Sequence, residues 1–337
     1  MHMADALLSP AVGGTMYAVS GAALAYSVVK IKNTDLSDKK VPIMAVSGAM
    51  VFTAQMINFT IPATGSSGHI GGGMLLAALL GGGPALIALA CVLAIQCLFF
   101  ADGGLLALGA NIFNMGVIPC LLIYPLIYKP IVKGGMNKIR ITIASIIAVI
   151  VSLQIGAFAV VLETMASGIT ELPFSSFIIL MQPIHLAIGI VEGIVTALIV
   201  SFVHSARPEI LDQSKDGRKL LNKVKTKTVV ITLGIFTLVV GGVVSLFASS
   251  HPDGLEWSIA GVTGDTELAT KGTIFDAFAS LQEKLAFLPD YDFAHGGIGG
   301  ISGTTVSGII GALITFAIAG IIGLSISIYK KKHKREY

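Results

Sequence analysis

The sequence predicts an all-α integral membrane protein, a polytopic helical bundle of about seven helices followed by a two-helix accessory unit. Three observations carry that prediction. Of 337 residues, 54% are hydrophobic and 12% charged, where about a quarter charged is ordinary for a globular chain. Apolar runs of near twenty residues, long enough to cross a ~30 Å hydrocarbon core as helices, recur from end to end. The basic residues are also unevenly spread, with twenty of the 22 Lys and Arg in four segments, at 30–40, 129–140, 207–227 and 330–335.

Nine runs are read as spans: 11–30, 42–61, 69–82, 85–101, 105–127, 139–164, 175–203, 229–248 and 303–328. The third is the weakest, because it is short and ends in Gly81-Gly82-Gly83-Pro84, a helix-breaking sequence. With nine spans the four basic segments fall in alternate loops. The positive-inside rule then places them in the cytoplasm and leaves the N-terminus and segment 249–298 outside. The expected location is the cell (inner, cytoplasmic) membrane, multi-pass, with the C-terminus cytoplasmic. A charged linker at 206–228, containing Pro208, divides a larger domain (1–205) from a smaller one (229–337) in which two helices flank the external segment. No repeat of 20 to 50 residues is visible, which counts against the repeat-built secondary transporters. Cys91, Cys97 and Cys120 all lie inside predicted spans without CxxC spacing and read as packing residues.

The most informative motif is the start, Met1-His2-Met3-Ala4-Asp5. With no Lys or Arg before Lys30 there is no basic n-region of a secretory signal, so the mature chain is expected to begin at Met1. A His at position two offers three nitrogens in one short chelate: the α-amine, the amide between Met1 and His2, and the imidazole. Square-planar nitrogen coordination suits Ni(II) or Cu(II) and needs one more donor. His69, in the Gly/Ser-rich stretch Thr64 to His69 at the same outer face, is the candidate. The plainer alternative is an exposed terminal histidine.

Polar residues inside spans need explaining, because each costs free energy unless it is paired. Asn58 lies at the outer end of the second run. Asn111 and Asn114 share a helix face in the fifth, suited to holding a loop or a ligand by hydrogen bonds. His185 and Glu192 lie two turns apart on one face of the seventh, with Glu192 read as the one carboxylate deep in a span. They read as a helix-to-helix hydrogen-bond network or, alternatively, as the relay of a proton-coupled secondary metal transporter. No GxxxxGK[ST] phosphate loop, HExxH or Gly-x-Ser-x-Gly elbow occurs, so neither ATP hydrolysis by that route nor the common hydrolase chemistries are expected. No permanently bound cofactor is expected. Lipid is the expected surround, and no nucleic acid is expected as a partner.

Residues Met1 to Asp5, Asn58-Phe59, Gly65 to His69, Gly109 to Gly116, His185 to Gly189 and Glu192-Gly193 together resemble the CbiM/NikM family over residues 1 to about 205. Pro252-Asp253-Gly254-Leu255-Glu256 resembles the PDGLE segment of the small NikN/CbiN-type components. The resemblance implies the substrate-specific membrane component of an energy-coupling-factor importer for nickel or cobalt, with nickel favoured by the fusion of the two components. It implies Met1, His2 and His69 as metal ligands, with Asn58, Ser66, Ser67, Asn111 and Asn114 holding the N-terminal strand and His69. It also implies a transmembrane coupling protein and two cytoplasmic ATPase subunits as partners. For Asp253 and Glu256 a structural turn is expected rather than a metal-binding role.

Overall fold

In a computed structural model, the described residues are 1–33, 40–211, 226–269, 272–293 and 302–333. Lys39, most of the basic linker, Lys271, His295 and the last basic residues of the tail lie outside the described residues. Eleven helices are used below: α1 Pro10–Asn33, α2 Lys40–Gln55, α3 Gly73–Leu80, α4 Gly82–Phe100, α5 Leu108–Val132, α6 Lys138–Ser167, α7 Phe174–Ala206, α8 Thr226–Gly242, α9 Gly254–Thr263, α10 Thr273–Leu285 and α11 Gly303–His333. Strands β1 Phe59–Ile61 and β2 Ser66–Gly68 form an antiparallel hairpin between α2 and α3.

Among the described residues, seven helices are long and apolar enough to cross a membrane: α1, α4, α5, α6, α7, α8 and α11. Two of the nine predicted spans are corrected. The run 42–61 stops as a helix at Gln55, because Phe59 to Ile61 pairs with Ser66 to Gly68 and Pro62 with its neighbours makes the turn. The run 69–82 forms only an eight-residue helix, about 12 Å long. Every residue of α3 is buried, so this segment descends into the protein interior and α4 returns. Irregular backbone at such depth is tolerated only against protein or a polar cavity.

The α6–α7 pair is drawn together by glycine. A Cβ at Gly193 would fall 2.8 Å from the Ile146 Cα, so the absence of a side chain permits the close approach. Gln154 and Gln182 reach across, each side-chain amide donating to the other residue's carbonyl at 3.0 and 3.2 Å. Outward, Leu186, Ile190, Ile194 and Leu198 repeat every four residues as an exposed apolar stripe, the face a helix presents to lipid. Within α5, the turns from Phe113 to Tyr128 are of the wide π type and contain Pro119 and Pro125, which lack the N–H an α ladder would use.

Helices α8 and α11 pack against each other and against α2. The buried Phe52 of α2 lies against Gly311 of α11, where any side chain would collide with the ring. Between them, α9 packs on α7, and α10 is tied to the end of α4 by Gln282, whose amide donates to the carbonyls of Cys97 (2.9 Å) and Gly103 (2.8 Å). The accessory unit is thus built into the bundle at α2 and roofs the end where the N-terminus, the hairpin and the α4–α5 loop meet.

Candidate metal centre

The first five residues thread into the membrane domain. Met3 is fully buried, and Asn111 holds its backbone from both sides: the Asn111 Oδ1 accepts from the Met3 N–H at 2.7 Å and the Nδ2 donates to the Met3 carbonyl at 3.2 Å. The Gly104 N–H donates to the same carbonyl at 2.9 Å. Asp5 is pinned by the Ala107 N–H at 3.0 Å. A polar strand can sit at this depth because its backbone groups find partners.

This anchoring brings the α-amine of Met1 to 2.6 Å from His69 Nε2 and 2.6 Å from an Asp253 carboxylate oxygen. The separation is close to the ~2.8 Å expected of neighbouring nitrogens on one square-planar ion with bonds near 2.0 Å. The His2 ring lies over the His69 ring, centroids 5.0 Å apart and 16° from parallel. Its Nδ1 faces Asp102 at 3.1 Å and its Nε2 is buried without a hydrogen-bond partner. Burial lowers the His2 pKa to about 4 against the pull of Asp102, so the imidazole is neutral and its lone pair is available at neutral pH. For Asp253, burial alone would raise the pKa, but the Met1 ammonium and His69 outweigh it and hold the carboxyl well below its usual range. Among the described residues, no three His, Cys, Asp or Glu side chains form a metal-binding group. A metal held here would therefore need the backbone amine.

Asp253 is positioned by its own helix. It caps α9, one carboxylate oxygen accepting from the Leu255 and Glu256 N–H groups while Glu256 accepts from the Asp253 N–H in return. The other oxygen is left for the Met1 amine. Ser66 and Ser67 hold this loop rather than the N-terminal strand: the Ser67 hydroxyl donates to the His251 carbonyl at 2.8 Å, and its N–H donates to the Pro252 carbonyl at 2.8 Å. The Trp257 indole donates to the Thr64 carbonyl at 3.0 Å, locking α9 onto the β1–β2 turn.

Several sequence expectations are revised by this geometry. Met1, His2 and His69 are brought together, and Asn111 holds the N-terminal strand as expected. Asn114 donates to the Met3 sulfur of that strand at 3.7 Å and also to Glu163 at 2.8 Å. Asn58 contributes its carbonyl, to the Ser249 N–H at 2.7 Å. His185 and Glu192 do not bond to each other. Glu192 accepts from the Gly71 and Gly72 N–H groups, both at 2.8 Å, so the carboxylate caps the N-terminus of α3, where helix and loop amides favour a negative charge. Gly72 permits this turn with a positive φ of 74°, at a point where a side chain would strike Val51. Sequence reasoning missed Glu163, buried at the end of its helix, and Asp102 and Asp253, two loop acids. Asp253 also does more than make the expected turn.

Two cavities flank the centre. On one side a vestibule of about 510 Å³ is lined by His2, His69, Asp102, Asp253, Glu256 and Asp290, among others. On the other, a cavity of about 30 Å³ extends inward past Met1, His69 and Asp253 to Asn114, His185 and Glu192. His69 and Asp253 line both.

Residues 2–210 match the CbiM family, described as the cobalt uptake substrate-specific transmembrane region, and residues 227–327 match the PDGLE domain. The chain is 30% identical over 321 residues to a protein of Archaeoglobus fulgidus assigned as a fused nickel transport protein, NikMN, covering 94% of this chain and 96% of the relative. It is also 30% identical over 214 residues to a protein of Methanocaldococcus jannaschii assigned as a cobalt transport protein, CbiM, covering 63% and 90%. The crystal structure of a truncated transition metal transporter superposes with a TM-score of 0.53 at 33% identity, covering 61% of this chain and 99% of that one.

Proposed function

The chain belongs to the CbiM family of metal-transport membrane proteins, joined to a PDGLE domain, and from that premise we propose that it is the substrate-specific component of an ATP-driven energy-coupling-factor importer for Ni(II), with Co(II) as the second choice. Its ligands are the Met1 amine, the Met1–His2 amide nitrogen, the His2 imidazole and His69 Nε2. The observation that carries this is the convergence of the Met1 amine and His69 Nε2 at 2.6 Å beneath the stacked His2 ring. Nickel is favoured because the relative that matches along nearly the whole chain is assigned to nickel, and because deprotonated amide coordination suits nickel better than cobalt.

In this reading the ion arrives from outside through the acidic vestibule, whose carboxylates attract a divalent cation. The amine and amide lose their protons, His2 turns its ring from Asp102 to the ion, and Asp253 releases the amine it held. Each ligand binds deprotonated, so affinity falls with pH. The N-terminus and the PDGLE loop face outside, and the basic loops face the cytoplasm of the cell membrane. The chain has no phosphate loop, so the energy comes from two cytoplasmic ATPase subunits acting through a transmembrane coupling protein.

Calorimetric titration with Ni(II) and with Co(II), comparing the native chain with a variant carrying one extra residue before Met1, tests the chelate. The extension moves the amine and leaves every side chain intact. Tight Ni(II) binding that is lost on extension supports the reading; unchanged binding removes Met1 from the ligand set.

A further inference from the structure

The inner cavity carries a histidine, His185, that the N-terminal chelate does not use. His185 is 1% exposed, and its Nδ1 lies 2.7 Å from the Met181 carbonyl, which can only accept. The ring proton therefore sits on Nδ1, and the Nε2 lone pair is free. That Nε2 is fully buried and has no hydrogen-bond partner. A backbone carbonyl fixing one ring nitrogen while the other points its lone pair away is the usual arrangement of a metal-ligating histidine. The rest of the lining is largely apolar, with Met74 and Met115 among it, and Glu192 brings a carboxylate whose two oxygens each accept one N–H. At about 30 Å³ the cavity has room for roughly one ion-sized guest or one water.

The position matters as much as the chemistry. His69 and Asp253 line both the vestibule and this inner cavity, so the chelate forms the wall between them. His69 and His185 line this same inner cavity. We propose that His185 Nε2 is the ligand of a second, inner stop for the transported divalent cation, which accepts the ion from His69 while the Glu192 carboxylate balances its charge. This rests on the N-terminal chelate proposed above, and it makes His185 a transient ligand rather than a packing residue or one half of a proton relay.

The test isolates the inner stop by disabling the outer one. In the full-length chain, an extra residue before Met1 combined with His69→Ala removes the outer chelate, and Ni(II) binding is followed by calorimetry, with Trp257 emission confirming that the accessory unit remains docked. This background is expected to keep one Ni(II) site, weaker than the native one by about a hundredfold or more. Adding His185→Gln, which keeps a polar side chain in the same space, should weaken that residual site at least about tenfold, whereas His185→Cys, a different metal ligand, should hold it within about threefold. A residual site indifferent to His185→Gln, a Cys variant no better than Gln, or no residual site at all overturns the proposal. Failure of the chelate reading has a different signature: the background lacking the outer ligands would bind as tightly as the native chain.

Discussion

The docking of the N-terminal strand rests on one side chain more than on any other, and its removal has a magnitude that can be worked out. Asn111→Ala deletes both hydrogen bonds to Met3. The Met3 carbonyl keeps its bond from Gly104, so the loss there is one net hydrogen bond, about 0.5–1.5 kcal/mol. The Met3 N–H has no other partner in the buried strand, and leaving it unsatisfied costs about 1–3 kcal/mol. Together these disfavour the docked strand by about 1.5–4.5 kcal/mol, and if only the docked strand presents the Met1 amine to His69, Ni(II) affinity should fall between about tenfold and two-thousandfold. The side-chain hydrogen bonds of Asn111 go to Met3 and not to another spanning helix, so the variant should remain folded. Calorimetry of Asn111→Ala beside Asn58→Ala measures the effect, the second variant serving as control because Asn58 acts through its backbone carbonyl. An Asn111→Ala protein that binds Ni(II) within threefold of the native chain would refute the view that strand docking builds the site.

Three further outcomes follow from the same geometry. Glu192→Gln can satisfy only one of the two N–H groups at the start of α3, so it should lower thermal stability by about 1–3 kcal/mol and weaken metal binding with it. A relay residue would instead lose transport with affinity intact. Asp253→Ala removes the α9 cap and the partner of the amine, whereas Asn keeps the cap. The melting temperatures should therefore fall in the order native, Asn, Ala, with the Ala variant also showing altered Trp257 emission; equal melting of the two variants would contradict the capping role. Because burial lowers the His2 pKa from 6.5 to about 4, an undocked strand binds more protons than a docked one below pH 6.5. Docking should be fully stable above that pH and weaken progressively down to about 4, by on the order of 3 kcal/mol in all. Hydrogen exchange at the Met3 amide reads this directly, and a pH-independent protection factor between 4 and 7 would rule it out.

What could be read from the sequence follows the range of the interactions involved. The long spans were legible because each is decided by its own twenty residues against lipid. Met1, His2 and His69 were read from a three-nitrogen chelate at the start of the chain with an imidazole at the same outer face, and Asn111 as a polar group inside a span, where lipid would penalise it unless it had a partner. The short helices α2 and α3 were not, because an apolar window registers Met74 to Leu80 as membrane-like without registering that Gly71 and Gly72 turn their amides onto a carboxylate 120 residues away. Asp102 and Asp253 escaped for a related reason: an acidic residue in a loop looks solvated until the partner that buries it is known, and the partners here are His2 and the chain's own first nitrogen. The Asp253 contact spans 252 residues, which no local pattern records. Glu163 lies one residue from the end of the run 139–164, where nothing local marks it as buried, and only the bond from Asn114 brings it out.

The position of Asp253 bears on why the two units belong to one chain. The accessory unit is held at both ends of its reach: its helices fill the space beside α2, and its loop closes over the centre through Trp257 on Thr64 and Tyr291 on Asp102 at 2.5 Å. Tyr291 holds one oxygen of Asp102 while His2 uses the other, so the same unit that supplies the amine's partner also steadies the partner of His2. The carboxylates beside the Met1 amine and His2 are therefore both tied to the accessory unit, Asp253 as part of it and Asp102 through Tyr291. Any movement that lifts α9 from the hairpin withdraws Asp253 from the amine, and any movement of Tyr291 frees Asp102.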